Sequence, residues 1–328
     1  MTDAFGPLPA VTEPAGSAAQ PMLDEQDNLG PVTPGLPDFS GSLTPSGNLR
    51  RRQLISGFAG GVQTVAAVLA VAVLAIVVYS VVARGASVLS WHFLTQDPPL
   101  IAGEAGGGIA PEIVGTVVIV ALATAIAMPL GILIALYLTE FAGRWPASAF
   151  KLALDLLNGL PSIVIGLFVF GLLVVGQHQS GFAASVAIAI IMLPLIARAT
   201  QEVLLLVPAS LREAADALGV ARWRTVRGVV LPTARGGILT ATVLAVARGA
   251  GETAPLILLS SLFGNTVSVN PFGNEGLANI PYYIFTSSES AEANGFARAW
   301  GAASVLLAFI LVASVVARIA NSRSTLSR

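Results

Sequence analysis

The chain has 328 residues, of which 55% are hydrophobic and 11% charged, with a formal net charge of -1 and a mean hydropathy of +0.79. A water-soluble domain carries about a quarter charged residues, so this composition belongs in a bilayer. The absence of cysteine excludes disulfides, thiolate metal centres and cysteine nucleophiles. His92 and His178 stand far apart beside apolar segments and read as interfacial or structural groups, so neither a catalytic residue nor a metal site is expected. The single lysine, Lys151, follows Phe150, so the phosphate-binding loop G-x-x-x-x-G-K-[ST] does not occur in these residues. The chain is therefore expected to hold no cofactor, and any ATP to be hydrolysed by another polypeptide.

Residues 1–49 are rich in proline, glycine, serine and acidic residues and contain no apolar core. They read as a disordered cytoplasmic tail rather than a signal peptide. Six apolar segments then follow, near 60–83, 112–138, 152–176, 183–205, 236–263 and 299–320. Each is long enough for a hydrocarbon core of about 30 Å, which takes about 20 helical residues. The fold expected is all-α and integral to the membrane, with six transmembrane helices. The fourth segment is the weakest, because Pro194 and Arg198 interrupt it. The organisation expected is the tail, a first helix and external loop over 50–108, a transmembrane domain over 109–322, and a cytoplasmic C-terminus over 323–328.

Basic residues set the orientation. With the tail inside, the cytoplasmic side collects Arg50, Arg51, Arg52, Arg144, Lys151, Arg198, Arg212, Arg222, Arg224, Arg227, Arg235, Arg318, Arg323 and Arg328. The opposite side keeps Arg84 and Arg298, and fourteen against two places both termini in the cytoplasm. Two long external segments result, about 84–111 and 264–298, with Trp91, Phe93, Tyr282, Tyr283 and Phe285 among their aromatics. These aromatics suit either a lipid interface or a surface that receives a substrate-delivery protein.

Between the fourth and fifth segments, residues 213–232 read EAADALGVARWRTVRGVVLP. Leu211, Ala214, Ala215 and Leu218 recur at helical spacing. Ser210 is an N-cap candidate with Glu213 three residues on, the pattern of a capping box. Gly219 supplies a helix stop, and a second short helix over Ala221–Val230 is expected to end at Pro232. Such a helix–glycine–helix knob can seat in a groove on another protein. From periodicity alone it equally suits an amphipathic helix held on an anionic leaflet by Arg222, Arg224 and Arg227.

Arg248 is the basic residue left over, in VLAVARGAGETAPLILLS of the fifth segment. It lies about 12 residues past Gly236, roughly 18 Å along a helix, close to mid-membrane. An arginine at that depth costs from about 3 to above 10 kcal/mol, so it should face a protein interior or a wet pathway. Glu252 sits four residues on, on the same helical face, and the two can pair. One reading is a structural salt bridge. The other is an anion pathway, in which the planar guanidinium receives an oxyanion and Glu252 competes with it, keeping binding weak enough for release. Asp155, near the start of the third segment, is a weaker pathway candidate.

Four stretches together, GGGIAPEIVGTVVIVALATAIAMPLGILIALYLTEFA, NGLPSIVIGLFVFG, the 213–232 loop and ARGAGETAPL, resemble the A-type permease family (PstA) of the phosphate-specific ABC importer over about residues 85–320. GETAPL separates this branch from the C-type permeases, which carry GETMA. The resemblance implies a type I, MetI-like permease fold whose cytoplasmic coupling helix is the EAA loop, residues 210–232. It implies that Glu213, Ala214, Ala215, Gly219, Leu231 and Pro232 couple to an ATPase dimer (PstB), that a paired channel subunit (PstC) completes the pore, and that an external binding protein (PstS) delivers phosphate. Arg248 and Glu252 would contribute to the phosphate path. Val229, where the family often has isoleucine, is a conservative departure, and the proline-rich tail lies outside the resemblance. A permease for another oxyanion such as sulfate, or an ion-coupled secondary transporter, are the alternatives; the sequence shows neither an inverted repeat nor sodium-coordinating broken helices.

Overall fold

Long runs of Ala, Val, Leu and Ile, broken at intervals by glycine or proline, can satisfy their backbone polar groups locally without water by forming helices. The computed structural model describes residues 49–99, 101, 104–261 and 266–325, and every regular element among them is helical. The expected tail thus lies outside the described residues, apart from its last position. The first helix, α1 (Leu49–Gly85), has 37 residues and a length of about 55 Å. The chain divides into two units at Ala70, inside this helix. In the first unit the described side chains of α1, residues 51–70, are all exposed.

The second unit begins at Val71. It holds the rest of α1, then α2 (Trp91–Thr95), α3 (Ala110–Leu136), α4 (Arg144–Gly159), α5 (Ser162–Leu173) and α6 (Gly181–Leu205). After these come α7 (Ala209–Ala217), α8 (Arg222–Thr225), α9 (Leu231–Ala250), α10 (Ala254–Leu259), α11 (Ile280–Ser288) and α12 (Ala293–Thr325). Helix α6 lies at the centre, with Ala183, Ala184, Ala187, Ile188, Met192, Ile196 and Ala197 all sealed from the surface. Small residues let its neighbours approach closely, as expected where lipid offers no hydrophobic drive. A methyl group on Gly131 of α3 would come within 2.8 Å of Ile196, and one on Gly249 of α9 within 2.8 Å of Met192. Pro194 therefore sits inside a continuous, well-packed helix, and the fourth segment is not the weak one.

Five helical stretches are long and apolar enough to cross a membrane: 51–85, 110–141, 181–205, 222–250 and 293–316. A bent pair, α4 with α5, which meet at 99°, makes a sixth crossing if the two form one span. The third segment is therefore not a straight span. Pro161 has no N–H and holds Leu160 extended (φ -70°, ψ 135°), which ends α4 there. The fifth segment differs as well. Helix α9 closes on Gly251, residues 251–253 are non-helical, and α10 restarts with Pro255 in its first turn. With Gly249 and Gly251 flanking the last turn and proline just beyond, a break costs less than a continuous helix through Pro255.

The two ends of the second unit are built differently. At one end, where α1 arrives and α12 begins, neutral hydrogen bonds dominate. Asn279 caps α11 through Tyr282 N–H and donates to the Ser260 carbonyl at 2.9 Å. Ser260 donates to the Leu277 carbonyl, Thr116 accepts from Ile280 N–H, and Gln179 binds the Leu258 carbonyl and Ser261. Arg298 clips the 104–106 strand of chain to α12 through two carbonyls. Burial raises the nearby Tyr283 phenol above its ordinary range, against the opposing pull of Arg298. Serine 304 of α12 bonds the Val81 carbonyl of α1, and the Arg84 guanidinium stacks on Trp300. The other end, where α3 and α6 finish and α9 starts, carries the α7–α8 loop.

Candidate functional site

Helix α9 points Ala245, Gly249 and Ala250 into the bundle, so Arg248 is turned off it. Its guanidinium Nε stands 3.6 Å from Glu252 Oε1, with side-chain exposures of 48% and 16%. The pair expected from the i, i+4 spacing is present, but it is not buried within this chain. The separation exceeds that of a good charge-assisted hydrogen bond, 2.7–2.9 Å, so the contact is a loose ion pair. The non-helical residues that follow allow this: Glu252 hangs from the turn after Gly251 rather than from a continuing helix, and its N–H reaches the Gly249 carbonyl at 3.3 Å. A half-exposed cation near the end of an apolar helix long enough to cross a membrane, with donors uncommitted to a tight partner, can receive an oxyanion.

Asp155 and Arg198, which the sequence placed on separate segments, come together. Arg198 of α6 donates to Asp155 and to the Lys151 carbonyl, fastening α4 to α6. Asp155 is 65% exposed in this pair.

Around the loop, α6 ends at Leu205 and Pro208 (φ -55°, ψ 136°) turns the chain into α7. The cap residue is Pro208 and no side chain caps the helix. The expected capping box at Ser210 does not form, because α7 begins one residue earlier and places Ser210 inside its first turn. Gly219 does stop the helix, at φ +67°. Its N–H bonds the Asp216 carbonyl, and Val220 N–H bonds Ala215 at 3.0 Å, the two bonds of a Schellman closure. The second helix does not end at Pro232. Residues Val226–Val230 form a π-helical turn in which Leu231 N–H reaches back to Val226, and α9 continues directly. The wider turn shifts the carbonyl that would otherwise press on the proline ring.

Of the expected coupling residues, Glu213, Ala214, Gly219 and Pro232 are exposed, Leu231 is half-buried and Ala215 is buried. The apolar stripe is thus divided. Ala215 is buried, and after the loop Val226, Val230, Ala234 and Ile238 pack with Val207 on Ala135 and Leu136 of α3. Leu218 stands 82% and Trp223 57% exposed on the outer side.

One residue was missed by sequence reasoning. Glu140 lies in a second π-helical turn, Tyr137–Phe141, that continues α3, and its side chain is 1% exposed. Arg212 donates to Oε1 from Nε at 3.1 Å and Nη2 at 3.0 Å. Arg222 pairs with Oε2 at 3.1 Å and stands 3.7 Å from Asp216. The available signal was an acidic residue at the end of an otherwise apolar run, YLTEFA.

This arrangement, a bundle of membrane helices with a charged break in one of them and a protruding helix–glycine–helix loop, defines a membrane transport component. Residues 127–325 match the family described as "Binding-protein-dependent transport system inner membrane component". The chain belongs to that family, so it is a multi-pass bacterial inner-membrane protein, part of a multi-component import system and not an enzyme. Among curated relatives, the phosphate transport system permease protein PstA of Yersinia pestis is 38% identical over 247 residues, 74% of this chain and 82% of that protein. PstA 1 of Mycobacterium tuberculosis is 40% identical over 212 residues, 64% of this chain and 68% of the relative. PstA of Xylella fastidiosa is 35% identical and covers 82% and 93% of the two chains. A chain of the bacterial alginate ABC transporter, in a complex with a pentasaccharide-bound periplasmic protein, aligns at a TM-score of 0.56 and 16% identity over 82% of this chain and 94% of its own. That likeness establishes the fold of an ABC importer permease.

Proposed function

We propose that the chain is a channel-forming permease subunit of an ATP-driven importer of inorganic phosphate. The observation that carries the proposal is Arg248: a half-exposed guanidinium in the last turn of a helix long and apolar enough to cross a membrane, loosely held by Glu252 at a helix break. The names of the relatives point to the same substrate. In this reading the exposed face of Arg248 looks onto a path shared with a second permease of the PstC type. The loop of Glu213, Ala214, Ala215 and Gly219, closed by Leu231 and Pro232, seats on an ATPase dimer of the PstB type. A PstS-type binding protein delivers phosphate at the end that carries α2 and α11. Both termini and the α7–α8 loop lie in the cytoplasm, on the basic side of the sequence. ATP-driven closure of the ATPase moves the loop, and alternating access exposes Arg248 first to one side and then to the other. Phosphate displaces Glu252 from Arg248 on entry, and Glu252 displaces phosphate on exit.

The test is uptake by the reconstituted four-component complex in vesicles loaded with ATP. Labelled phosphate should accumulate and excess unlabelled sulfate should leave it unchanged. Full competition by sulfate would assign the permease to another oxyanion, and uptake independent of ATP would remove it from this class of importer.

A further inference from the structure

The loop is joined through the chain to α6, which precedes it, and to α9, which follows it. It has no such link to α3, which ends at the π-helical turn over Tyr137–Phe141, with Arg212 lying 72 residues beyond Glu140. Yet α3 packs along α6 and α9 and must follow them if the bundle is to tilt without tearing its core, which is close-packed and resists continuous deformation. Side-chain packing at Ala135 and Leu136 offers a greased contact that can slide. Glu140 offers one that cannot.

Its carboxylate is shared between the two helices of the loop. Oε1 takes two donors of Arg212 on α7, and Oε2 takes Arg222 at the start of α8. Arg212 in turn donates to the carbonyls of Leu204 and Val207 at the end of α6, at 2.9 and 2.6 Å. A single buried anion thereby holds the ends of α3 and α6 and both helices of the loop. Among the described residues the two π-helical turns lie on the two helix ends beside this contact, at 137–141 and 226–230. A π turn rotates the residues beyond it relative to an α-helical ladder, and the first of them directs Glu140 toward the loop.

We propose that Glu140 is a positioning residue that ties the loop to α3, so that α3, α6 and α9 turn as one body when the loop is pushed. This rests on reading the loop as the ATPase dock. Glu140 touches neither substrate nor nucleotide; its part is to make movement of the loop reach α3. With Asp216 of α7 also 3.7 Å from Arg222, the cluster holds two cations and two anions; neutralising Glu140 leaves α7 and α8 joined through Asp216 and Arg222 but removes the one carboxylate that ties α3 to both.

The experiment uses the full complex with Glu140→Gln and, because that change takes the carboxylate from Arg212, a second variant combining Glu140→Gln with Arg212→Gln. Three quantities are read: ATPase retained by the complex, ATP hydrolysed, and labelled phosphate imported per ATP. The expected result in both variants is normal ATPase retention, continued hydrolysis and a fall of at least tenfold in phosphate imported per ATP, with Glu140→Asp recovering part of it. A wild-type ratio in either variant overturns the proposal. So does loss of ATPase retention in both, which would make Glu140 part of the dock or of the fold. If the wild-type complex imports no phosphate, or the ATPase remains docked when the loop is deleted, the underlying reading fails, and that outcome is separate from any behaviour of Glu140.

Discussion

Two ion pairs in this chain use the same chemical groups to opposite ends. Arg248 and Glu252 meet at 3.6 Å across a broken helix, with the guanidinium half open to the outside of the chain. Glu140 is sealed at the end of α3, with two nitrogens of Arg212 within 3.1 Å and a second arginine on its other oxygen. The first pair shares one long contact and can exchange partners. The second is multiply bonded and anchored to main-chain carbonyls, and it cannot let go of one element without disturbing the others. The difference teaches that geometry rather than composition separates a site from a strut in a membrane protein. A loose, exposed pair at depth can bind a passing anion, whereas a saturated, buried one can only carry force.

The sharpest way to break the comparison is Arg248→Ala. Loss of a charged hydrogen-bonding partner costs about 1.5–3 kcal/mol, so phosphate uptake should fall roughly 10- to 150-fold while the complex assembles normally. Co-purification and uptake by the same preparation check both halves. Next in size is Gly219→Val. No atom lies within 4 Å of a methyl group placed there, so the change acts only through the φ of +67°. A side chain in the left-handed region costs about 1–2 kcal/mol, which should distort the turn and weaken ATPase retention roughly fivefold or more. Gly219→Asn, which tolerates that region, should retain the ATPase as wild type does. Glu252→Gln sharpens the account of release. With its competitor removed, Arg248 should hold phosphate more tightly, lowering the half-saturating concentration while slowing maximal uptake, both read from one saturation curve. The smallest effect is expected for Leu218→Asp on the exposed outer face of the loop. It should weaken ATPase binding by about 1 kcal/mol, a few-fold, without altering the helical content of the chain.

Much of the architecture was legible because it rests on local rules. Apolar length marked the membrane helices, and Gly219 marked the end of α7 because glycine sits most easily at positive φ. Arg248 and Glu252 were legible as a pair because i, i+4 spacing fixes a shared helical face. The break at 251–253, which falls between Arg248 and α10 and contains Glu252, was only half visible. The glycines and Pro255 signalled a weakness, but whether a helix bends or parts depends on the packing of α10 against α5, which no local pattern encodes. Ser210 misled for a related reason: Pro208 already turns the chain, so the helix starts before the serine can cap it. Glu140 and Asp155 were illegible as partners because Arg212 and Arg198 lie 72 and 43 residues away. A lone acidic residue in an apolar run announces that it needs a partner, not which one.

The central claim is that Arg248 carries the anion while the loop carries the work of ATP. The most direct test places wild-type chain, Arg248→Ala and Arg248→Lys in the complete importer and measures phosphate uptake and ATP hydrolysis in the same vesicles. The account predicts that Arg248→Ala hydrolyses ATP with its ATPase still bound but imports little phosphate. It predicts that Arg248→Lys, which keeps the charge but loses the planar donors, recovers only part of the uptake. Wild-type uptake by Arg248→Ala would contradict it, reducing the pair to scaffolding and moving the anion path elsewhere in the bundle.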